Sequence, residues 1–454
     1  MLDLSQLQNK RIVVLGLGLT GMSFVRFLSN KKTYNALNFA VNDSRSSHAQ
    51  FEEFKRDYAT IELVTGCWDS RLIASAEILL VSPGVDINQP EIADNIADNC
   101  QVWGDIELYA RLKQTPCVAI TGSNGKSTVV NLIHHIGQKL GVKTQLGGNV
   151  GVPVLDTLDT EPELLILELS SFQLETLTSL TPIVSCMLNL SDDHLDRHKS
   201  IENYGEIKQR VYQGAQYAVF NRDDLVTKPT SELAAVSFGK DSPAANQFGI
   251  IETTRGKFLA LGKQALMPLS QLTISGIHNA TNVLAALAIG QLLKWPLDTM
   301  LEALASFEGL AHRCQAIASN DDIFWINDSK ATNVGATVAA IEGISSTIGA
   351  QQQLILIAGG DGKGADFSPL KAVIDEHVSQ LFALGKDKAQ LLALSEKSQA
   401  VESLEQAVEL SRTIAKSGDV VLLSPACASI DMFTNFAERG QTFVDAINNV
   451  KEAS

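Results

Sequence analysis

Three times along this chain a short apolar, β-branched run gives way to glycine and then to residues with helical spacing, at Gly16, at Gly122 and at Gly359. A strand that passes through a glycine turn into a helix opens a βαβ unit, whose strands pair in parallel. The openings lie more than 100 residues apart, and 454 residues exceed what one hydrophobic core serves. The expected fold class is therefore α/β in three domains: a Rossmann-like N-terminal domain over 1–104, a P-loop-type central domain with a parallel sheet over 105–309, and a Rossmann-like C-terminal domain over 310–454. Apolar runs at 11–15, 78–81, 117–120, 164–167, 183–188, 354–358 and 419–423 supply strands. No low-complexity linker marks the joints, so the boundaries near Gly104 and Gly309 rest on spacing.

The charge balance narrows the partners. With 36 Lys and Arg against 51 Asp and Glu, the formal charge is −15, and no basic block offers a stripe for nucleic acid. An anionic substrate must then be held by local lysines, arginines and helix N-termini, since the overall field repels it. Six scattered cysteines without a CxxC pair fit a reducing compartment. Residues 1–10 lack the layout of a signal peptide, and no apolar run approaches the ~20 residues of a membrane span. The chain reads as a soluble, cytoplasmic protein with no membrane partner.

The first loop, Gly16-Leu17-Gly18-Leu19-Thr20-Gly21, is a full G-x-G-x-x-G with helical spacing over 22–28. Such glycines let backbone amides at a helix N-terminus approach a diphosphate. Asp43, after a strand-like run over 37–41, stands where a dinucleotide fold carries a ribose-binding acid, so this part taken alone reads as a NAD site. A plain strand-to-helix turn is the competing reading. Arg45 beside Asp43 favours a bound anion, and loop amides recognise pyrophosphate oxygens rather than nicotinamide.

The second loop, Thr121-Gly122-Ser123-Asn124-Gly125-Lys126-Ser127-Thr128, precedes helical spacing over 129–140. Here Lys126 would reach the outer phosphates of a nucleotide, and the hydroxyl of Ser127 or Thr128 would ligate magnesium. Ile120 stands where the standard loop has its first glycine, so Gly122 must supply the turn. Two strand ends follow, Glu168 to Gln173 and Asn189 to Asp196. Glu168 and His194 suit magnesium and a substrate carboxylate, whereas His194, Asp196 and His198 together suggest a transition-metal site, or else an ordinary polar loop. Polar clusters at 278–282, 327–333 and 359–363 also sit at element ends, where each alone reads as a helix cap or a turn.

Over essentially its whole length the chain resembles the Mur ligases. The resemblance is carried by TGSNGKST at 121–128, ELSSFQLE at 168–175, HNATN at 278–282 and NDSKATN at 327–333, while GLGLTG at 16–21 and LLSPACASIDMFTNFAERG at 422–440 resemble the D-glutamate-adding branch. Ala311 and Cys314 flank His312 and Arg313, where the family carries proline and an aromatic residue. The resemblance implies that Leu19, Thr20, Asp43, Arg45, Gly84 and Asn149 hold a UDP-sugar, so that the NAD signal is a uridine diphosphate site. It implies that Gly122, Ser123, Asn124, Gly125, Lys126, Ser127, Thr128, Asn279, Asn282, Arg313 and Asp328 bind ATP. Ser127, Glu168, His194 and a carbamylated Lys208 would surround two Mg2+ ions, and Lys330, Thr332, Lys363, Ser429 and Phe436 would hold D-glutamate.

The implied reaction is ATP-dependent amide formation between UDP-N-acetylmuramoyl-L-alanine and D-glutamate through an acyl phosphate. Lys126, His194, Lys208 and Glu168 are the catalytic candidates, and a monomer is expected. A NAD-dependent oxidoreductase would leave the second loop and Lys126 without a task, and a nucleotide-sensing module would bind ATP without turnover. The folylpolyglutamate synthases share the middle domain but not this type of N-terminal unit, and the diaminopimelate-adding ligases carry a DNPR motif absent here.

Overall fold

The computed structural model describes residues 5–30, 37–274, 276–345, 347–349 and 351–449. Three sheets follow one another along the chain. The first contains β1 (Ile12–Leu15), β2 (Phe39–Asp43), β3 (Glu62–Thr65), β4 (Ile78–Val81) and β5 (Gln101–Trp103), all parallel, in the order β3-β2-β1-β4-β5. Strands β1 and β4 are buried along their whole length, as strands covered by helices on both faces must be. The strand order reverses between β1 and β4, which opens a crevice at their carboxyl ends.

The second sheet contains β6 (Cys117–Thr121), β7 (Thr144–Gly148), β8 (Leu164–Glu168), β9 (Val184–Met187), β10 (Tyr217–Asn221), β11 (Ala234–Phe238), β12 (Phe248–Thr253), β13 (Gly256–Leu261) and β14 (Gln264–Pro268). Its order is β14-β13-β12-β11-β10-β9-β6-β8-β7. The third contains β15 (Gln315–Ile317), β16 (Phe324–Asn327), β17 (Leu354–Gly359), β18 (Gln380–Leu384), β19 (Ser398–Ala400) and β20 (Val420–Leu423), in the order β15-β16-β20-β17-β18-β19.

The sheets are parallel, as expected from the sequence, except at two edges that the sequence reading did not single out. Strands β12, β13 and β14 pair antiparallel, as do β15 and β16. Two residues join β12 to β13 and two join β13 to β14, the second pair being Gly262 and Lys263 with Gly262 at φ +55°. A two-residue connection can only reverse the chain.

Helix Lys126–Lys139 packs Val129, Val130, Ile133 and Ile136 against Val118, Ile120 and Ile166 of the second sheet, and helix Ile277–Leu292 closes the same core. Asn124, Asn189 and Ser191, beyond β6 and β9, line one cavity with Asp328 and Lys330, beyond β16. Among the described residues, no helix is long and apolar enough to cross a membrane.

Candidate active site

The second glycine loop joins β6 to helix Lys126–Lys139. Gly122 makes the turn at φ +145°, and Gly125 has φ +81°. A β-carbon on Gly125 would stand 2.4 Å from Oδ1 of Asn282, so glycine is what lets the loop lie against helix Ile277–Leu292. Asn189, just past β9, fastens the loop: its Oδ1 accepts from the Asn124 amide at 2.8 Å and its Nδ2 donates to the Asn124 carbonyl at 3.1 Å. Lys126 folds back, its Nζ donating to the carbonyls of Gly122 and Ser123 at 2.6 and 2.8 Å. Burial depresses its pKa against the pull of Glu168 and Asp193. A phosphate placed there would stabilise the cation.

Glu168, at the end of β8, joins two regions that sequence reasoning treats separately. Its Oε2 accepts from the Ser127 hydroxyl at 2.6 Å, and its Oε1 accepts from Nδ2 of Asn149 at 2.8 Å. Lys208, on helix Ile201–Gln209, is only 1% exposed; its Nζ donates to the Gly122 carbonyl at 3.0 Å and lies 4.5 Å from the centre of the Tyr204 ring. Burial, with the nearby charge of Lys126, drives its pKa well below the ordinary lysine value. Both causes shift the balance toward the neutral amine.

His194 has φ +54° and meets the Phe172 ring edge-on at 4.9 Å. Its pKa is lowered by burial, and the charges of Lys363 and Lys126 act in the same direction. His198 behaves differently. It is stacked between Phe172 and Tyr204, its Nε2 lies 2.9 Å from the Ser171 hydroxyl, and its pKa is pushed down to about 4 by burial. Among the described residues, no three His, Cys, Asp or Glu side chains gather to hold a metal ion. The transition-metal reading of His194, Asp196 and His198 is overturned because His198 is turned into the core.

A cavity of about 700 Å³ opens at the carboxyl ends of β1, β2 and β4. Leu19, Thr20, Asp43, Arg45 and Gly84 line it, and Asn149 joins them from beyond β7. Burial would raise the Asp43 carboxyl, but the Arg45 guanidinium and the amides of Leu17 and Arg45 outweigh it and hold the group below its ordinary value. A further residue, Arg197, ties this cavity to the second sheet: it donates to the Val85 carbonyl at 3.1 Å, approaches Asp86 at 3.3 Å and pairs with Glu175.

A second cavity, of about 290 Å³, lies between the second and third sheets. Asn124, Gly125 and Thr128, Asn279 and Asn282, and then Arg313, Asp328 and Lys330 from the third sheet's side all line it. Burial pushes the Asp328 carboxyl up to about 6, although it accepts from Ser424 at 2.9 Å and from the Cys314 amide at 3.2 Å. Thr332, Lys363, Ser429 and Phe436 fall outside that lining. Lys330 lies 4.0 Å from the centre of the Phe436 ring, with its pKa lowered to about 8 by burial. The bridge between Asp361 and Ala428 sets the loop of Lys363 beside that of Ser429.

Asn333 and Arg439 organise these parts, and the motifs that contain them give no hint of it. The side-chain amides of Asn124 and Asn333 donate to each other at 3.3 and 3.0 Å, joining the phosphate loop to the third sheet. Arg439, 2% exposed, donates to the carbonyls of Ser329, Cys427 and Gly359. It thereby ties together the three loops that carry Lys330, Ser429 and Lys363.

Glycine loops that lead from the carboxyl ends of parallel strands into helices, after β1 and after β6, define a nucleotide-binding α/β class, and comparison with known proteins makes it a ligase class. Residues 10–104 match the Mur ligase MurD-like N-terminal domain, 120–290 the Mur ligase middle domain, and 312–427 the Mur ligase glutamate ligase domain. The chain belongs to the Mur ligase family. A protein of Colwellia psychrerythraea named UDP-N-acetylmuramoylalanine--D-glutamate ligase is 47% identical, with 98% of each chain covered, and one of the same name from Pseudomonas aeruginosa is 42% identical, covering 96% of this chain and 98% of that one. Among solved structures, the UDP-N-acetylmuramate-alanine ligase MurC from Thermotoga maritima shares the fold at 18% identity and a TM-score of 0.58, over 96% of this chain and 99% of that one.

Proposed function

We propose that the chain adds D-glutamate to UDP-N-acetylmuramoyl-L-alanine at the expense of ATP, a step of peptidoglycan precursor synthesis. The observation that carries this reading is the position of Glu168, whose two oxygens touch the phosphate loop through Ser127 and the wall of the first cavity through Asn149. A UDP-sugar whose diphosphate rests on the first glycine loop would direct its far, carboxylate end along that line toward the terminal phosphate of ATP. The 1–104 unit then holds the UDP-sugar, the 105–309 unit ATP, and the 310–454 unit D-glutamate.

The carboxylate of the L-alanyl group cannot lose an oxide, so ATP first converts it to an acyl phosphate and ADP departs. Positioning and charge neutralisation are the catalytic tasks. Lys126, folded onto the loop carbonyls, is placed to swing onto the transferred phosphoryl group. The amine of D-glutamate then attacks the acyl carbon, the tetrahedral intermediate expels phosphate, and an amide remains. Lys330 and Lys363 supply ammonium partners for the two carboxylates of D-glutamate, with Thr332, Ser429 and Phe436 shaping the same site. Burial keeps His194 neutral, the form that accepts a proton from an amine or ligates a metal.

The donor set near the phosphate loop fits magnesium. The Ser127 hydroxyl and the Glu168 carboxylate, paired at 2.6 Å, are hard oxygen donors, and His194 stands as a further ligand. Burial shifts Lys208 toward the free amine, whose lone pair carbamylation by CO2 requires, and the carbamate would add another oxygen donor. Magnesium bound there, as two ions, would neutralise charge on the phosphoryl oxygens. The enzyme is proposed to work as a cytoplasmic monomer on small molecules, without nucleic acid or membrane.

The test is phosphate release from ATP with UDP-N-acetylmuramoyl-L-alanine, with and without D-glutamate, and with L-glutamate and other amino acids in its place. Release that needs both the nucleotide precursor and D-glutamate is expected. Equal release with another amino acid would overturn the assignment of the third unit, and none under any combination would overturn the ligase reading.

A further inference from the structure

The first cavity has a wall that none of the motifs marks. Trp68 lines it together with Asp43, Ser44 and Arg45. The residue follows β3, two strands out from β1 in the order β3-β2-β1-β4-β5. Its turn is held by Asn42, a fully buried residue of β2: Nδ2 donates to the carbonyls of Val64 and Cys67 at 3.1 and 2.8 Å, and Oδ1 accepts from the Asp69 amide at 2.8 Å. A buried amide satisfied by three backbone groups of one turn leaves that turn a single arrangement. Asp69 then caps helix Ser70–Ala74 by accepting from the amides of Arg71 and Leu72, both at 2.9 Å. Part of Trp68 packs on the core formed by Val13, Ile73 and Leu79, and the rest borders the cavity.

Neighbouring parallel strands lie about 4.8 Å apart, so the turn after β3 stands roughly 10 Å from the glycine loop after β1. Asp43 and Arg45, at the end of β2, lie between them. A nucleoside diphosphate laid across these strand ends would have its phosphates at the glycine loop, its ribose near the β2 end and its base beyond.

We propose that Trp68 is a nucleobase-contacting residue, its indole giving the uracil of the UDP-sugar a flat apolar face. The inference rests on reading the first cavity as the UDP site. An aromatic face accepts any flat base, so Trp68 would favour a nucleoside diphosphate over a bare diphosphate rather than uracil over another base.

The experiment uses the full chain, with Trp68→Phe and Trp68→Ala, followed by ligation kinetics and by tryptophan emission on titration with UDP. Of the four tryptophans, Trp103 and Trp325 are buried at 4% and 0% exposure and Trp295 packs against Gly137 and Gly290 of the second unit. A saturable change of emission with UDP is expected in the natural protein and is lost in Trp68→Phe. Trp68→Ala should raise both the KM for UDP-N-acetylmuramoyl-L-alanine and the inhibition constant of UDP by ~10-fold, with kcat and the KM for ATP and D-glutamate held, and Trp68→Phe should restore most of the loss. Undiminished emission change in Trp68→Phe together with unchanged constants in Trp68→Ala would overturn the role of Trp68 while leaving the UDP site standing. A natural protein that neither responds to UDP nor is inhibited by it would overturn the reading of the cavity, and the inference with it.

Discussion

Replacing Arg439 by leucine tests how the proposed D-glutamate site is held together. The guanidinium donates to the Ser329 carbonyl at 2.8 Å, to the Cys427 carbonyl at 3.1 Å from two nitrogens, and to the Ser329 hydroxyl at 3.0 Å. Burial lowers its pKa only to about 10, so it stays charged at neutral pH. Leucine fills part of the space but leaves the carbonyls of Ser329 and Cys427 without this donor, at ~1–3 kcal/mol each. Release from burying the cation offsets part of that, so a net loss of ~3 kcal/mol is expected. For a unit of this size the loss corresponds to a Tm lower by roughly 10 °C. Below that temperature the loops of Lys330, Lys363 and Ser429 should loosen relative to one another. The KM for D-glutamate should then rise at least ~10-fold, while the KM for UDP-N-acetylmuramoyl-L-alanine moves little. Differential scanning calorimetry and initial-rate kinetics check both. A Tm within 2 °C of the natural protein, with an unchanged KM for D-glutamate, would refute the reasoning.

Three other outcomes follow from the site. Lys126→Ala should cut phosphate release at least ~100-fold, and turnover at the natural rate would remove Lys126 from the chemistry. Glu168→Gln should raise the magnesium concentration for half-maximal rate ~10-fold or more, since it takes a charge from the oxygen donors beside Ser127; an unchanged magnesium dependence would count against that placement. The Asp105 carboxyl is pushed by burial from 3.8 up to about 6. A raised carboxyl stabilises most below its unfolded pKa, and that contribution, ~3 kcal/mol at most, is lost as pH rises through 6. Asp105→Asn should therefore flatten the fall in Tm between pH 4 and pH 7, and an unaltered slope would contradict the assignment.

Much of this architecture is legible in the sequence because the signals are local. A glycine loop between a β-branched run and a helical stretch names its own place in a parallel unit, and strands such as β4 and β17 follow from their continuous apolar character. The antiparallel edge at 248–268 is written just as locally, in Gly262 and Lys263, and is easily passed over amid stronger parallel signals. Lys208 could be placed in the core from spacing, since it lies four residues after Tyr204 on the buried face of its helix. Arg439 and Arg197 could not. Their partners Ser329 and Val85 lie 110 and 112 residues away, and nothing near either arginine distinguishes it from a solvated one. The same distance in sequence hides the amide pair of Asn124 and Asn333, 209 residues apart, which joins the phosphate loop to the third unit.

The most direct test of the account follows the oxygen atoms of the reaction. UDP-N-acetylmuramoyl-L-alanine labelled with 18O in the alanyl carboxylate, incubated with ATP, magnesium and D-glutamate, should yield inorganic phosphate carrying one 18O per amide formed, because the carboxylate oxygen that attacks phosphorus leaves with it. Amide formation with unlabelled phosphate would contradict the acyl phosphate and, with it, the line drawn from the first cavity through Glu168 to the phosphate loop.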